Sequence, residues 1–468
     1  MGGVKVATTA GEMRALDEPA LNALRSSLRG PLLCAGDPGY DDARKIWNAM
    51  VDKRPALIAR CAGAADVRRC VEFAARHSLL LSIRGGGHNV AGNAVCDGGL
   101  MIDLSRLKAI RVDPAARTAR AEPGVNWAEF DRETQGFGLA TTGGTVPSTG
   151  IAGLTLGGGI GWLKGVYGLT CDNLVSADIV TAEGELLTAD AERHADLFWG
   201  LRGGGGNFGV VTSFEYRLHP VGKVLAGMVI HPLDQARRAL AHLRGFAAAM
   251  PDELTATAVL LTSPDGAPVL AIAVCYNGPL EAGERALKEL RAFGPPVADT
   301  IAPMDYLALQ SMIEAAFPFG WQNYWKSDAL ADLSEGAIEA LVGGFATVPA
   351  PSIVVGIEHT AGAAGRVAPD ATAFPHRSAR YIVLILGIWP RAEDNRANIE
   401  WVRNYWRGLK PFSSGGVYVN YLAEAADEGP DRVKAAYGPK TYARLVKLKN
   451  KYDPGNLFRL NQNVPPSA

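Results

Sequence analysis

The residues of this 468-residue chain that can do chemistry gather in glycine-rich stretches. The first is Arg84-Gly85-Gly86-Gly87-His88-Asn89, directly after the apolar run 79–83. Glycines lack a Cβ, so backbone N–H groups can close on an anion or a flat ring, and consecutive N–H groups in such a turn form an anion-binding concavity. His88 stands at its rim. A single turn of this kind reads equally well as a strand connection whose histidine satisfies a backbone carbonyl. Recurrence points to a ligand: a second cluster runs from Gly143-Gly144 through Gly150 and Gly153 to Gly157-Gly158-Gly159-Ile160-Gly161, and Arg202-Gly203-Gly204-Gly205-Gly206-Asn207-Phe208-Gly209 forms a third.

The third cluster contains Gly204-x-Gly206-x-x-Gly209, the letters of a dinucleotide fingerprint. That fingerprint needs a strand before it and a helix after it, because the pyrophosphate sits on the helix N-terminus. Here a short helix over 196–200 precedes and an alternating strand over 210–218 follows. A nicotinamide dinucleotide site is therefore excluded at this position.

The elements that must position these turns follow from periodicity. A strand over 54–60, an amphipathic helix over 64–77 capped by Asp66 and the strand leading into Arg84 make a crossover unit of a partly parallel sheet. Strands are expected over 110–123, 175–187 and 210–218, with a helix over 127–136. From about residue 222 the texture changes: strands over 228–232, 255–261, 269–276, 353–359 and 379–389 alternate with helices over 233–250, 280–292 and 334–342. That pattern suggests an antiparallel sheet covered by helices on one face. Residues 418–422 read as a short strand-like piece and 437–451 as a last helix. Phe317, Phe319, Trp321, Tyr324 and Trp325 form an aromatic cluster, mostly core with one or two members in a substrate wall.

Composition limits the function classes. A 48% hydrophobic, 20% charged chain is globular, and its length suggests two domains or more. The net charge of −1, from 47 basic and 48 acidic residues, argues against nucleic acid or an anionic membrane as partner. No apolar run reaches membrane-spanning length, and the first residues show no secretory pattern. The six cysteines and eight histidines lack metal-ligand spacing, so no metal site is expected, and reduced thiols in a cytoplasmic protein are the default.

Together with Tyr167-Gly168-Leu169-Thr170-Cys171-Asp172-Asn173 and the C-terminal Lys451-Tyr452-Asp453-Pro454-Gly455-Asn456-Leu457-Phe458-Arg459-Leu460-Asn461-Gln462-Asn463, the three clusters resemble, in matching order, the FAD-linked oxidases of the vanillyl-alcohol-oxidase superfamily. Within it the chain is most similar to bacterial members of the berberine bridge enzyme-like group. The resemblance implies an α+β fold: a split FAD-binding domain of the PCMH type over 1–220, built of two small α/β subdomains. It also implies a substrate-binding antiparallel sheet with helices on one face over 221–410 and a berberine bridge-like segment over 411–468 that completes the FAD domain.

Carried over position by position, the resemblance implies an 8α-histidyl covalent bond from His88 to FAD. Contacts from Arg84, Gly85, Gly86, Gly87, Asn89, Pro147, Gly150, Gly153, Gly157, Gly158, Gly159, Gly161 and Val211 would hold the cofactor, with Asn173, Gly206 and Asn461 as further ones. Members with two covalent links carry a cysteine where this chain has Val146, and valine forms no thioether, so a single link through His88 is expected. Cys171 is expected to be packed. A small or mid-sized alcohol or amine-bearing ring would give hydride to flavin N5, with O2 reduced to H2O2. A dehydrogenase, or a tailoring enzyme that closes a ring oxidatively, is the alternative. Tyr421 matches a family tyrosine near the flavin, where a basic environment could lower its pKa. The strand 381–389 carries no carboxylate at the position some members use, so Glu358 and His359 are the nearest candidate bases, and strand alternation points only one of them inward.

Overall fold

The computed structural model describes residues 3–423 and 425–467. Strands Leu57–Arg60, Leu100–Asp103 and Leu81–Arg84 lie parallel, with Leu32–Leu33 antiparallel at one edge. Helix Ala64–Arg76 makes the crossover and buries Val67, Cys70, Val71 and Ala74. Parallel strands are covered on their faces, which explains the run before Arg84, apolar at every position but Ser82. Asp66 does not cap this helix as expected: its carboxylate accepts from the backbone N–H groups of Arg29 and Gly30, both at 3.0 Å, and of Ala62 at 2.8 Å. Gly63 takes the cap position.

A second sheet is wholly antiparallel, in the order Leu186–Asp190, Leu174–Val180, Val210–Arg217, Thr118–Ala121, Ile110–Asp113. Its core continues into the C-terminal chain, because Trp127, Phe208 and Phe214 share one buried cluster with Tyr418, Tyr437, Leu445 and Val464. Lys449 fastens that junction. Fully buried, it donates to the Asn207 carbonyl at 2.8 Å, the Phe458 carbonyl at 3.0 Å and the Asp453 carboxylate at 2.7 Å. The last helix is longer than its pattern suggests, Pro430–Tyr452, with a break at Gly438, whose φ is +67°.

The third sheet is the largest and also antiparallel, running Ala298–Asp299, Val224–Pro232, Pro268–Tyr276, Leu254–Thr262, Val354–His359, Tyr381–Trp389, Gln322–Leu330. Helices Ala236–Ala247, Glu335–Phe345 and Asn395–Leu409 pack on one face through a cluster that includes Leu240, Leu341 and Val402 with Val383 and Ile385 of the sheet. The alternate residues Leu384 and Leu386 point to the opposite face. Period-two alternation therefore divides this sheet into a helix-covered side and a cavity side. The strand Gln322–Leu330, which carries Tyr324 and Trp325 of the aromatic cluster, is not among the expected strands, and residues 418–422 form a 3-10 turn, Val419–Tyr421, not a strand.

Candidate active site

The three sheets enclose a cavity of about 660 Å³. The turn after strand Leu81–Arg84 enters it with Gly85, Gly86, Gly87, His88 and Asn89, and Val146, Gly150, Gly153, Gly206, Val211 and Asn461 line it from the neighbouring loops. A Cβ on Gly86 would stand 2.6 Å from Gly150 Cα, so two backbones cross here at a distance only glycine permits. Gly87 has φ +73°. Gly153 and Gly206 face open space, where an added Cβ would meet nothing within 4 Å.

His88 is held by Ser148 of the second glycine cluster and by Trp47, which sequence spacing gave no reason to name. Its ring stacks on Trp47 at 4.3 Å and 18°, and its Nε2 lies 3.3 Å from Ser148 Oγ. Burial lowers its pKa to about 4, so at neutral pH the ring is an uncharged imidazole with a free lone pair.

Several expected cofactor contacts are spent elsewhere. The glycines of 157–161 make close chain packing instead of cavity wall. Gly157 lies against the Asn420 side chain, Gly158 against the Phe374 ring, Gly159 against Thr170 and Gly161 against the Gly143 carbonyl. Two of their N–H groups are likewise engaged: that of Gly158 donates to the Thr155 carbonyl at 3.0 Å and that of Gly159 to Tyr418 Oη at 2.8 Å. Asn173 donates to the carbonyls of Tyr167 at 2.8 Å and Leu169 at 2.9 Å, and its Oδ1 meets His219 Nε2 at 2.7 Å, so its amide braces a turn. The Arg84 side chain turns to the Ala43 carbonyl, and the Pro147 carbonyl accepts from Ala128 N–H at 2.9 Å. Cys171 is fully buried and makes no disulfide among the described residues.

On the sheet side, alternation selects Glu358 over His359. Glu358 lines the cavity. His359 is buried on the other face beside Tyr381, with its pKa lowered by burial to about 4, so it is not placed as a base. Tyr421 Oη donates to Glu358 Oε1 at 2.9 Å, while Glu358 Oε2 has no partner among the described residues. The neighbourhood of Tyr421 is acidic, not basic as expected: burial and the Glu358 carboxylate push its pKa well above 10. Burial likewise raises that of Glu358, against the pull of Lys164 and the Tyr421 hydrogen bond. Of the aromatic cluster, Phe317 and Trp325 line the cavity, Tyr324 is core and Phe319 is exposed. Asn420 donates to Tyr418 Oη at 2.7 Å and to the Leu154 carbonyl at 3.2 Å, which fixes the turn carrying Tyr421.

Residues 55–190 match the FAD binding domain family, and residues 417–465 match the family described as berberine and berberine like. An FAD-linked oxidoreductase of Dictyostelium discoideum is 32% identical over 451 residues, covering 95% of this chain and 97% of the relative. The chain belongs to the berberine-like FAD-linked oxidoreductases. The (R)-6-hydroxynicotine oxidase of Paenarthrobacter nicotinovorans is 34% identical over 455 residues, covering 94% of this chain and 98% of that one. The crystal structure of 6-hydroxy-D-nicotine oxidase from Arthrobacter nicotinovorans superposes with a TM-score of 0.88 at 32% identity, covering 97% of this chain and 100% of that chain. The residues present fit an FAD. Open glycine backbone at Gly153 and Gly206 lines the same cavity as Asn461, whose Oδ1 has no partner among the described residues, and backbone N–H groups of this kind would meet two phosphates without a basic patch. The cavity of this oxidoreductase is thus walled by glycine backbone on one side and by side chains on the other.

Proposed function

We propose that this FAD enzyme is an oxidase carrying its flavin on a single covalent bond to His88, and that it oxidises a small or mid-sized alcohol or amine-bearing ring with O2 as acceptor. The observation that carries the catalytic part is the 2.9 Å hydrogen bond from Tyr421 to Glu358 on the cavity wall. The single link is supported by a buried, uncharged imidazole at position 88 and by Val146 on the wall, which has no sulfur to offer a second bond.

FAD, when bound, supplies the hydride acceptor and passes the electrons to O2. The chain supplies the proton path. Tyr421 Oη accepts the proton of the substrate's hydroxyl or amine as its own proton moves to Glu358 Oε1. A phenol whose pKa lies well above 10 does not ionise alone at neutral pH, so Tyr421 works as a relay to the carboxylate. Phe317, Trp325, Leu384 and Leu386 form an apolar surround that excludes water.

Glu358 must be ionised to accept. Its pKa is raised above the usual carboxylate value, so kcat/KM is full above that raised value and falls as pH drops through it. The test is a screen of alcohols and cyclic amines by peroxide release, followed by the pH profile of kcat/KM on the best substrate. The expected profile has an acid limb displaced above 4.5 that disappears in Glu358→Gln. An unchanged limb in that variant contradicts the relay.

A further inference from the structure

The segment 47–49, soon after the short helix Tyr40–Arg44, is wedged between the turn that carries His88 and the strand Gln322–Leu330 with the residues leading into it. Its contacts come in pairs, one on each side. The backbone N–H of Trp47 donates to the Gly87 carbonyl at 3.0 Å, while the Trp47 carbonyl accepts from Gly320 N–H at 3.1 Å. The buried Asn48 amide donates to the Val90 carbonyl at 2.8 Å and to the Asn323 carbonyl at 2.9 Å. The indole of Trp47 repeats the pattern: its face lies on the His88 ring, and its Nε1 donates to the Phe317 carbonyl at 3.3 Å.

What this segment fixes is an aromatic corner of the cavity. Trp325 stands edge-on to Trp47 at 5.6 Å and 73°, and edge-on to Tyr421 at 6.2 Å and 73°. Phe317 and Trp325 are half-buried, pack against the cluster that contains Leu384 and Leu386, and line the cavity together with Trp47. Both indole N–H groups of the corner are spent, because that of Trp47 goes to Phe317 and Trp325 Nε1 donates to Asn323 Oδ1 at 3.3 Å. Asn323 Nδ2 in turn donates to the Trp321 carbonyl at 3.0 Å. The corner therefore presents ring faces and aliphatic side chains, and it adjoins the Tyr421 hydroxyl that donates to Glu358.

We propose that Trp47 is a positioning residue with two tasks: its face orients His88, and its N–H holds the corner of Phe317 and Trp325, which selects a flat apolar ring over a saturated or polyhydroxylated one. The inference rests on the reading of His88 as the flavin anchor. Hydroxyl groups placed in this corner give up water and meet no unspent indole N–H, a cost that each of them carries. A saturated ring gains burial alone. An aromatic ring gains the same burial and edge-to-face contact with Trp325 besides. Because one residue touches both the flavin anchor and the corner, the two are held in fixed relation, and the ring is seated where its substituent can meet Tyr421.

The test uses the flavin-loaded enzyme and three probes, benzyl alcohol, cyclohexylmethanol and D-glucose, each titrated at pH 7 against the flavin absorbance. Wild type is expected to bind benzyl alcohol about 2- to 10-fold more tightly than cyclohexylmethanol, the worth of an aromatic contact beyond the area it buries, and glucose more weakly than either. Trp325→Leu should bring the ratio of the two alcohols to one and Trp325→Phe should keep it; Phe317→Leu repeats the loss should the leucine variant at 325 fail to fold. Trp47→Phe keeps a ring on His88 but frees the Phe317 carbonyl, so benzyl alcohol should weaken about 2- to 10-fold, the worth of one neutral hydrogen bond, with the flavin still held through acid precipitation. Trp47→Leu should lose both, part of its flavin now being released by acid. A ratio of one in wild type, glucose bound as tightly as benzyl alcohol, no response to any probe, or a Trp47→Phe variant that binds benzyl alcohol unchanged or sheds its flavin as Trp47→Leu does overturns the proposal. Flavin released by acid from wild type itself marks a failure of the His88 reading; the failures named before it, in an enzyme that keeps its flavin, mark a failure of this inference alone.

Discussion

The wall that Gly85–Gly87, Gly150 and Gly206 present to the cavity is backbone, whereas the wall opposite is a row of side chains, Val259, Val354, Glu358, Leu384 and Leu386, set by the pleat of antiparallel strands. The first wall depends on the absence of Cβ atoms and carries almost no information about a substrate. The second depends on which side chain occupies each inward position. On the function proposed above, cofactor binding and substrate choice are thus built from different materials and should fail separately under mutation.

The sharpest way to break that separation is at the relay. Tyr421→Phe and Glu358→Gln are each expected to cost about 10²- to 10⁴-fold in kcat/KM, the usual worth of a positioned proton acceptor, with flavin content unchanged in the absorbance ratio. Loss of flavin in either variant would mean the two walls are not independent. Leu386→Ala, on the same wall, removes apolar contact and should raise KM by about 10- to 200-fold with flavin retained.

On the backbone wall, Gly86→Ala places a Cβ 2.6 Å from Gly150 Cα and 2.7 Å from its nitrogen, both backbone atoms that cannot swing away. It should destabilise by about 1–3 kcal/mol, read as a lowered Tm together with reduced flavin content. Gly206→Ala is the quiet counterpart. With nothing within 4 Å of its added Cβ, it should move stability by less than about 0.5 kcal/mol and act on flavin content alone.

The same contrast explains what could be read from the chain. Arg84-Gly85-Gly86-Gly87-His88-Asn89 was legible because a backbone cradle advertises itself as consecutive glycines after an apolar strand. The 157–161 glycines look identical and are used otherwise: they let Asn420, Phe374 and Thr170 approach, a demand for space that produces the same letters as a demand for free N–H groups. Trp47 was invisible because it meets the site through a contact distant in sequence, its stacking on His88. Glu358 could be narrowed to a pair with His359 by type, and alternation decided between them once the register of strand Val354–His359 was fixed. The acidic surroundings of Tyr421 could not be anticipated, since its partner lies on a strand of the large sheet, 63 residues away. The helix-covered face of the large sheet, by contrast, followed from periodicity, except for Gln322–Leu330, where aromatics and a buried lysine hid the alternation.

The central claim is that an uncharged His88, stacked on Trp47, carries the flavin covalently while Val146 leaves it without a second link. The most direct measurement is the intact mass of acid-denatured wild type beside His88→Ala. The account predicts that wild type retains its colour in the acid pellet and exceeds the chain mass by one FAD, and that the variant releases its flavin to the supernatant. Flavin released from wild type, or still bound covalently in His88→Ala, would contradict it.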